Sequence, residues 1–267
     1  KRKATGVELT LGGRDGTTMQ YHAPAVVGAG GYRCPVATSL VVDTYQETLV
    51  DPKHYCGGYR EYWDGVKGCE SNIGDIEIHF VDTILPGYFW IFPVGEGRVN
   101  VGCGMVMHLM DKQSKKLKAL QQDIIANHPQ FKDRFADATM VRGSARGWQL
   151  PFGSPRKKQK IQPRRMAMNG AWLVGDAASL IDPFSGEGVG NALLTGEIAA
   201  RHIIENRRPE EYQQEVWKTL GAELKNSYRM QALSRKSWLL NWFVGKASRK
   251  PQLQEMMTEM IASKEAQ

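Results

Sequence analysis

Asp176 is the residue whose type and surroundings most directly suggest chemistry in this chain. It follows "WLVG" (172–175), a short apolar run read as a buried strand. Gly175 has no Cβ, so the backbone there can approach a ligand closely. An acid at the carboxyl end of a strand stands where ligands bind in open α/β sheets. Its carboxylate can accept hydrogen bonds from the hydroxyls of a sugar or polyol, and it suits direct contact with phosphate poorly. Downstream, Pro183, Gly186, Glu187 and Gly188 lead to a helix start, with Asn191 in its first turn. Free backbone N–H groups at such a start form an anion site. A polyol contact and an anion-binding helix start, one short loop apart, suit a flavin with its ribityl chain and electron-rich pyrimidine edge. A tight Gly-rich connection would explain a lone Gly-Asp pair. The full string G-D-A-A-x-x-x-x-P-x-x-G-E-G favours the flavin.

A second group lies in "GYFWIFP" (87–93). Strand side chains alternate, so Tyr88, Trp90 and Phe92 share one face while Phe89 and Ile91 take the other. Three aromatics on one face can pack as plain core or wall a long apolar pocket.

The elements that must position these groups follow from periodicity. Residues 5–11 and 16–27 read as strands around "GGRDG", and "AVVGAGG" as a buried strand ending in a glycine turn with no helical pattern after it. Residues 41–50 and 57–63 read as strands. In 73–82, Ile76, Ile78 and Phe80 alternate with Glu77 and His79. Residues 88–94 and 98–107 form a hairpin across "GEG". The period then changes. Leu117, Leu120, Ile124 and Ile125 define one face of a helix over 114–129, which Pro129 ends. Residues 145–153 read as a strand, 188–204 as a helix, and the last 60 residues as helical. This is an α+β or α/β order, with a strand–loop–helix unit at 172–204 that docks away from the preceding sheet.

Composition narrows the class. The chain has 267 residues, 42% hydrophobic and 24% charged, with a formal net charge of +7. No apolar run approaches the roughly 20 residues needed to span a bilayer. Cys34, Cys56, Cys69 and Cys103 show no CxxC spacing, which argues against zinc or a redox dithiol and for reduced thiols in a cytoplasmic protein. The basic run in 154–165 has no nucleic-acid-binding motif beside it and reads as a solvated loop. Residues 234–250 interleave Trp238, Leu239, Leu240, Trp242, Phe243 and Val244 with Arg235, Lys236, Lys246, Arg249 and Lys250. This pattern fits an ordinary packed helix or an interfacial helix on anionic lipid.

The string at 175–188 closely resembles the second FAD-binding motif of the geranylgeranyl reductase family, within the p-hydroxybenzoate hydroxylase-like flavoproteins. Two other segments resemble the same family. Pro86, Tyr88, Trp90, Phe92 and Pro93, followed by Asn100, Val101, Gly102 and Gly104, are similar to its P-x-x-Y-x-W-x-F-P and N-V-G-x-G motifs, with the first spacing shortened. Residues 26–37 resemble its G-A-D-G-x-x-S-x-V, with Gly30 in place of the acid and Cys34 in place of the serine.

The resemblance implies that FAD is the cofactor. Asp176 then meets the ribityl chain, amides near Gly175 and Ala177 help hold the pyrophosphate, and Pro183, Gly186, Glu187 and Gly188 lie by the isoalloxazine. Asn191 points towards it. Tyr88, Trp90, Phe92 and Pro93 line the substrate site, and Tyr88 is the catalytic candidate by position alone. The implied activity is reduction of isoprenoid C=C bonds in prenyl lipids or prenyl diphosphates. Flavin-dependent monooxygenase or halogenase chemistry, and a non-catalytic lipid-binding fragment, are the alternatives.

The loss of the acid at Gly30 puts direct NAD(P)H binding in doubt and leaves a ferredoxin-like donor open. The expected arrangement is 1–40 as the end of an FAD-binding domain, 41–165 as a substrate-binding sheet domain, 166–205 as the FAD-binding return and 206–267 as a helical region. The G-x-G-x-x-G half of the cofactor site is expected upstream, and without it the chain is expected to be inactive. The implied location is cytoplasmic, at the inner face of the membrane.

Overall fold

The computed structural model describes residues 2–3, 6–12, 15–70, 74–112, 114, 116–155 and 165–247. They fall into two compact units. Residues up to 50 with 151–228 form the first, and 51–150 with the helical residues from 229 onward form the second. The divisions between these units lie near 50 and 150.

The first unit opens with β1 (Arg2–Lys3), β2 (Gly6–Gly12) and β3 (Thr18–Ala23), an antiparallel meander in register from Val7 opposite Ala23 to Gly12 opposite Thr18. Asp15 accepts from the Thr17 amide at 3.1 Å and Gly16 turns at φ +82°, the local chemistry of a tight hairpin. Pro24 follows β3, and the chain resumes as β4 (Val26–Gly28) in a different sheet. The strand expected over 16–27 is therefore two strands.

A 3₁₀ turn at Gly31–Arg33 follows, then the short helix α1 (Pro35–Ala37), which widens into π-type turns over Thr38–Thr44. This corrects two expectations: a helix does follow the glycine turn, and 41–50 is not a strand. Pro35 is pre-set for a first helical position, and the adjacent Leu40 and Val41 are both buried in the core around Leu173. Adjacent buried side chains fit a helical turn. The strand preference of Val41, Val42 and Thr44 is outweighed by that packing.

The second unit is built on β5 (Tyr55–Asp64), β6 (Glu77–His79), β7 (Tyr88–Gly95) and β8 (Arg98–Val106). After β8 come α2 (Met107–Lys112), α3 (Leu117–Asn127) and α4 (Lys132–Phe135), then β9 (Thr139–Met140) and β10 (Arg146–Pro151). The sheet order is β10-β5-β8-β7-β6, with β9 paired to β5. The hairpin β7–β8 turns through Gly95, Glu96 and Gly97, all at positive φ, as "GEG" suggests. Phe89, Ile91, Val101, Cys103 and Met105 on one face of the sheet pack with Leu117, Ile124 and Ile125 of α3. Pro129 lies just beyond the α3 C-cap, His128.

The alternation over 73–82 is realised only at β6, and in an unusual sense. Glu77 and His79 point to the helix-covered side, where the Arg134 guanidinium bonds both Glu77 oxygens at 2.7 Å and His79 lies 2.9 Å from Glu77. Ile78 lies on the opposite face and Ile76 is exposed.

A buried carboxylate helps to lock α3 to this sheet. Glu61, on β5, accepts from Tyr59 Oη at 2.7 Å, Trp63 Nε1 at 3.2 Å and Gln121 Nε2 at 3.1 Å. Burial, and then the Glu61 contact, push the Tyr59 hydroxyl up to about 12. Glu61→Ala would strand the fully buried Gln121 amide. The expected loss is about 3 kcal/mol of stability, read as a lower denaturation midpoint. Glu61→Gln, which keeps an acceptor and the volume, should lose less.

The chain then returns to the first unit with β11 (Ala167–Met168) and β12 (Ala171–Leu173). Strand β12 pairs parallel to β4, placing Leu173 beside Gly28. Helices α5 (Val189–Ile204) and α6 (Pro209–Leu233) follow. Tyr212, Val216, Leu220 and Leu224 of α6 are buried at every fourth position, the stripe of a helix laid on a core. The Tyr212 hydroxyl donates to the Leu173 carbonyl at 2.7 Å. Helix α7 (Ser237–Ala247) completes the described chain.

Candidate functional site

In the first unit, β12 ends into a 3₁₀ turn, Gly175–Ala178. Gly175 sits at φ +54°, and a Cβ there would stand 2.7 Å from the Ala192 methyl of α5. Its glycine identity is therefore set by the helix that passes behind the strand end. The Gly175 amide donates to Thr195 Oγ1 at 3.0 Å, and that hydroxyl donates onward to the Asn191 carbonyl at 2.6 Å. Ala177 and Ala178 are buried, and Ser179 closes the turn in the left-handed region.

Asp176 emerges from this turn half-buried, and its carboxylate has no hydrogen-bond or ion-pair partner among the described residues. Burial pushes its pKa up from the usual carboxylate value. A partly desolvated carboxylate with vacant acceptor sites is poised for donors supplied by a ligand.

The loop that follows is held by Asp182. Its Oδ1 accepts from the Phe184 amide at 2.9 Å, the Ser185 amide at 2.8 Å and Ser185 Oγ at 3.1 Å. Its backbone bonds the Glu187 carbonyl at 2.7 Å and the Gly186 amide at 3.0 Å. Pro183 is buried and Gly186 sits at φ +77°. The result is a closed ring over 182–187 that delivers Glu187 and Gly188 to the start of α5. Gly188 is the N-cap, with no side-chain cap and no acid in the first turn. The first amides of α5 are thus without a side-chain cap, the electrostatic arrangement that attracts an anion.

Two of these residues also make close contacts within the protein. Asn191 Nδ2 donates to the Leu180 carbonyl at 2.7 Å, so its amide clamps the loop. At Gly188 a Cβ would stand 2.9 Å from Asp176 Oδ1 and 3.0 Å from Ile181 Cγ1, which gives this glycine a reason within the protein itself. Gly188→Val is expected to destabilise the unit by about 1–3 kcal/mol through overpacking. In an Asp176→Ala background the cost should fall, because one of its two obstacles is gone. A double-mutant cycle by thermal denaturation measures this coupling.

Asp182, Thr195 and Tyr212 were not singled out from sequence. For Asp182 a signal was there: Asp before Pro is a turn-forming pair whose side chain bonds the backbone ahead. Thr195 and Tyr212 act through distant partners that spacing does not reveal.

In the second unit, strand register brings Tyr88, Trp90 and Phe92 to one face of the sheet. Trp90 stacks with Phe92 at 6.0 Å between centroids and meets Tyr88 edge-on at 5.9 Å. Phe80 adds an edge contact to Tyr88 at 6.4 Å. Phe89 and Ile91 point the other way and are fully buried, so the aromatic row is not the core face. The N-V-G-x-G segment supports the row. Asn100 Oδ1 accepts from Trp90 Nε1 at 3.1 Å, and the indole lies over Gly102, where a Cβ would fall 2.1 Å from Cζ2. Pro93 sits where the β7–β8 register shifts.

Of the basic run in 154–165, residues 156–164 lie outside the described residues. On α7, Trp238 and Trp242 are one turn apart and exposed, while Leu240 is buried. The side chains of Phe243 and Lys246, and all of Arg249 and Lys250, lie outside the described residues.

This fold is similar to that of solved flavin-dependent enzymes. A geranylgeranyl bacteriochlorophyll reductase-like structure from Thermoplasma acidophilum superposes with a TM-score of 0.58 at 19% identity, over 92% of this chain and 64% of that one. A myxobacterial chondrochloren halogenase, described as FAD-dependent, superposes with a TM-score of 0.61 at 19% identity, over 86% and 51%.

Residues 59–143 match the family model of the geranylgeranyl reductase catalytic domain. The chain is 32% identical over 161 residues to a digeranylgeranylglycerophospholipid reductase of Thermoplasma acidophilum, covering 60% of this chain and 37% of that protein. It is 31% identical over 226 residues to the enzyme of the same name from Methanococcus aeolicus, covering 80% and 52%. The chain therefore spans between about a third and a half of the curated relatives it matches.

Proposed function

We propose that this protein binds FAD and reduces isoprenoid C=C bonds of prenyl lipids or prenyl diphosphates. The observation that carries the reading is the half-buried Asp176 carboxylate, which has no protein partner among the described residues and stands a short loop from the uncapped start of α5. The first unit is then the cofactor-binding part and the second the substrate-binding part.

When bound and reduced by an external donor, the flavin would supply hydride to one alkene carbon and be left as oxidised FAD. Asp176 accepts hydrogen bonds from ribityl hydroxyls, and amides of the 175–178 turn and the start of α5 orient anionic groups. The ring over 182–187 keeps Glu187 and Gly188 in place beside the isoalloxazine. Trp90, Phe92 and Tyr88 exclude water from the alkene. Tyr88 carries the only hydroxyl of the β7 row, and we assign Tyr88 Oη as the proton donor to the second carbon.

The test is anaerobic. Protein, FAD, dithionite and a geranylgeranyl lipid should give a product heavier by one or more pairs of hydrogens, with no need for oxygen. Replacing dithionite by NAD(P)H or by reduced ferredoxin distinguishes the physiological donors. The likeness to the halogenase supports a second reading, and a hydroxylated or halogenated product formed only with oxygen would select it. A protein that retains no flavin and still binds prenyl lipid would be a lipid-binding module.

Trp90→Ala is expected to raise KM more for long prenyl substrates than for short ones, by about tenfold for the longest. Contact energy scales with buried apolar area at ~25 cal/mol/Å². Equal effects on both lengths would return Trp90 to a packing role.

No described helix is long and apolar enough to cross a membrane. We assign peripheral contact to α7, with Trp238 and Trp242 at the acyl boundary and Arg235 and Lys236 towards anionic headgroups. Co-sedimentation with anionic vesicles should be lost in the Trp238→Ala, Trp242→Ala double variant.

A further inference from the structure

The aromatic face of the second unit carries a cation that no acid matches among the described residues. Strand register sets Arg60 opposite Gly102, Gly102 opposite Trp90, and Trp90 opposite Ile78, one row across four strands. Directly paired residues share a face of the sheet. Arg60 therefore stands on the same face as the indole of Trp90, two strands away, with only a glycine between them. Adjacent rows place Gly58, Gly104 and Tyr88 together, and Tyr62, Asn100 and Phe92 together. The face thus has an aromatic side on β7, glycine positions on β8 and a guanidinium on β5.

The guanidinium is held in place. Arg60 Nη1 donates to the Ser144 carbonyl at 2.7 Å, and its Cζ lies 4.4 Å from the centre of the Tyr62 ring. Ser144 Oγ in turn accepts from the Tyr62 amide at 3.0 Å. A second guanidinium gathers on the same turn: Arg146 Nη1 donates to the carbonyls of Gly143 and Ala145 at 2.9 and 2.7 Å. Neither arginine has a carboxylate partner among the described residues. By contrast, Arg98 is matched by Asp64 and Arg134 by Glu77 in the same unit. Among the described residues these two guanidinium groups hydrogen-bond to carbonyls alone, which leaves most of their N–H donors for a ligand. They suit tetrahedral phosphoryl oxygens, which accept several N–H donors in a planar fork.

We infer that Arg60 and Arg146 hold the phosphoryl head of the prenyl substrate while the Tyr88–Trp90–Phe92 row takes its chain. This rests on the reading of the aromatic face as a prenyl site. It adds that the site selects phosphorylated isoprenoids over neutral ones. Prenyl diphosphates and the glycerophosphate of prenyl phospholipids both carry such a group.

The experiment is equilibrium binding of three radiolabelled probes to the full chain: geranylgeraniol, geranylgeranyl diphosphate and digeranylgeranylglycerophosphate. Wild type, Arg60→Gln, Arg60→Lys and Arg146→Gln are compared at two salt concentrations. At least one phosphorylated probe should bind tenfold or more tightly than the alcohol, with an advantage that shrinks in high salt. Arg60→Gln should remove most of that advantage and leave alcohol binding unchanged, with Arg60→Lys in between and Arg146→Gln weaker in effect. The probe that loses affinity in Arg60→Gln identifies the source of the phosphoryl group. Equal binding of all three probes in wild type, or an advantage untouched by Arg60→Gln, overturns the inference and leaves the prenyl site standing. Failure of every probe to bind overturns the prenyl site and the inference together.

Discussion

Gly102→Val is expected to lower the stability of the sheet unit by at least about 3 kcal/mol and to abolish tight binding of prenyl chains. Overpacking by one side chain commonly costs 1–3 kcal/mol, with more where the obstacles cannot move. Here the new Cβ would stand 2.1 Å from Trp90 Cζ2 and 2.6 Å from the Tyr59 carbonyl. The second obstacle is backbone of the neighbouring strand. The first can swing away only by giving up the Trp90–Asn100 hydrogen bond and the stack on Phe92. Thermal denaturation followed by tryptophan fluorescence reads the loss. Gly104→Ala is the control, because its Cβ would meet Cys56 Sγ at 3.3 Å and the Trp90 ring only at 3.9 Å. Equal losses in Gly104→Ala and Gly102→Val would mean that the indole does not rest on Gly102 as described.

Asp176→Asn is expected to move stability and cofactor affinity in opposite directions. Burial raises the Asp176 pKa, so the folded chain holds this proton to higher pH than the unfolded chain does. Stability from this group is then greatest at acid pH. It declines as pH rises through the ordinary carboxylate range, and the loss is complete above the folded pKa. At neutral pH the ionised carboxylate is a net cost to the flavin-free protein, and Asn removes that cost. The variant should therefore melt higher than wild type at pH 7, with a gap that closes below the ordinary carboxylate pKa.

Flavin affinity should fall about tenfold to a hundredfold, the value of a charge-assisted hydrogen bond of ~1.5–3 kcal/mol. Fluorescence titration with FAD measures it. A variant that melts lower and binds FAD normally would show Asp176 to be structural.

Much of this site could be read from residues in order, for a physical reason. The hairpin β7–β8, the α3 stripe and the strand–loop–helix at 172–204 are local, with periods of two or 3.6 and glycine punctuation that tertiary packing did not overrule. The strand expected over 41–50 does not form: Val41, Val42 and Thr44 favour strands, while the burial of Leu40 and Val41 around Leu173 depends on residues far along the chain. The same distance hid Thr195 and Tyr212, whose hydroxyls support the backbone around Asp176. The significance of Arg60 lies in the register that lines it up with Gly102 and Trp90, which residues read in order do not reveal.

The parallel pairing of β4 with β12 also has a kinetic consequence. These strands are joined only after all of residues 51–150 have been passed, so the sheet that carries Asp176 cannot nucleate from local contacts. Closing so long an open loop is entropically costly, and such topologies fold slowly. The inserted sheet unit offsets part of that cost. Leu150, at its far end, lies against Gly58 near its start, so once folded it returns the chain close to where it left. Order of assembly is thereby built into the connectivity: the aromatic sheet first, the strand end with its acid afterwards.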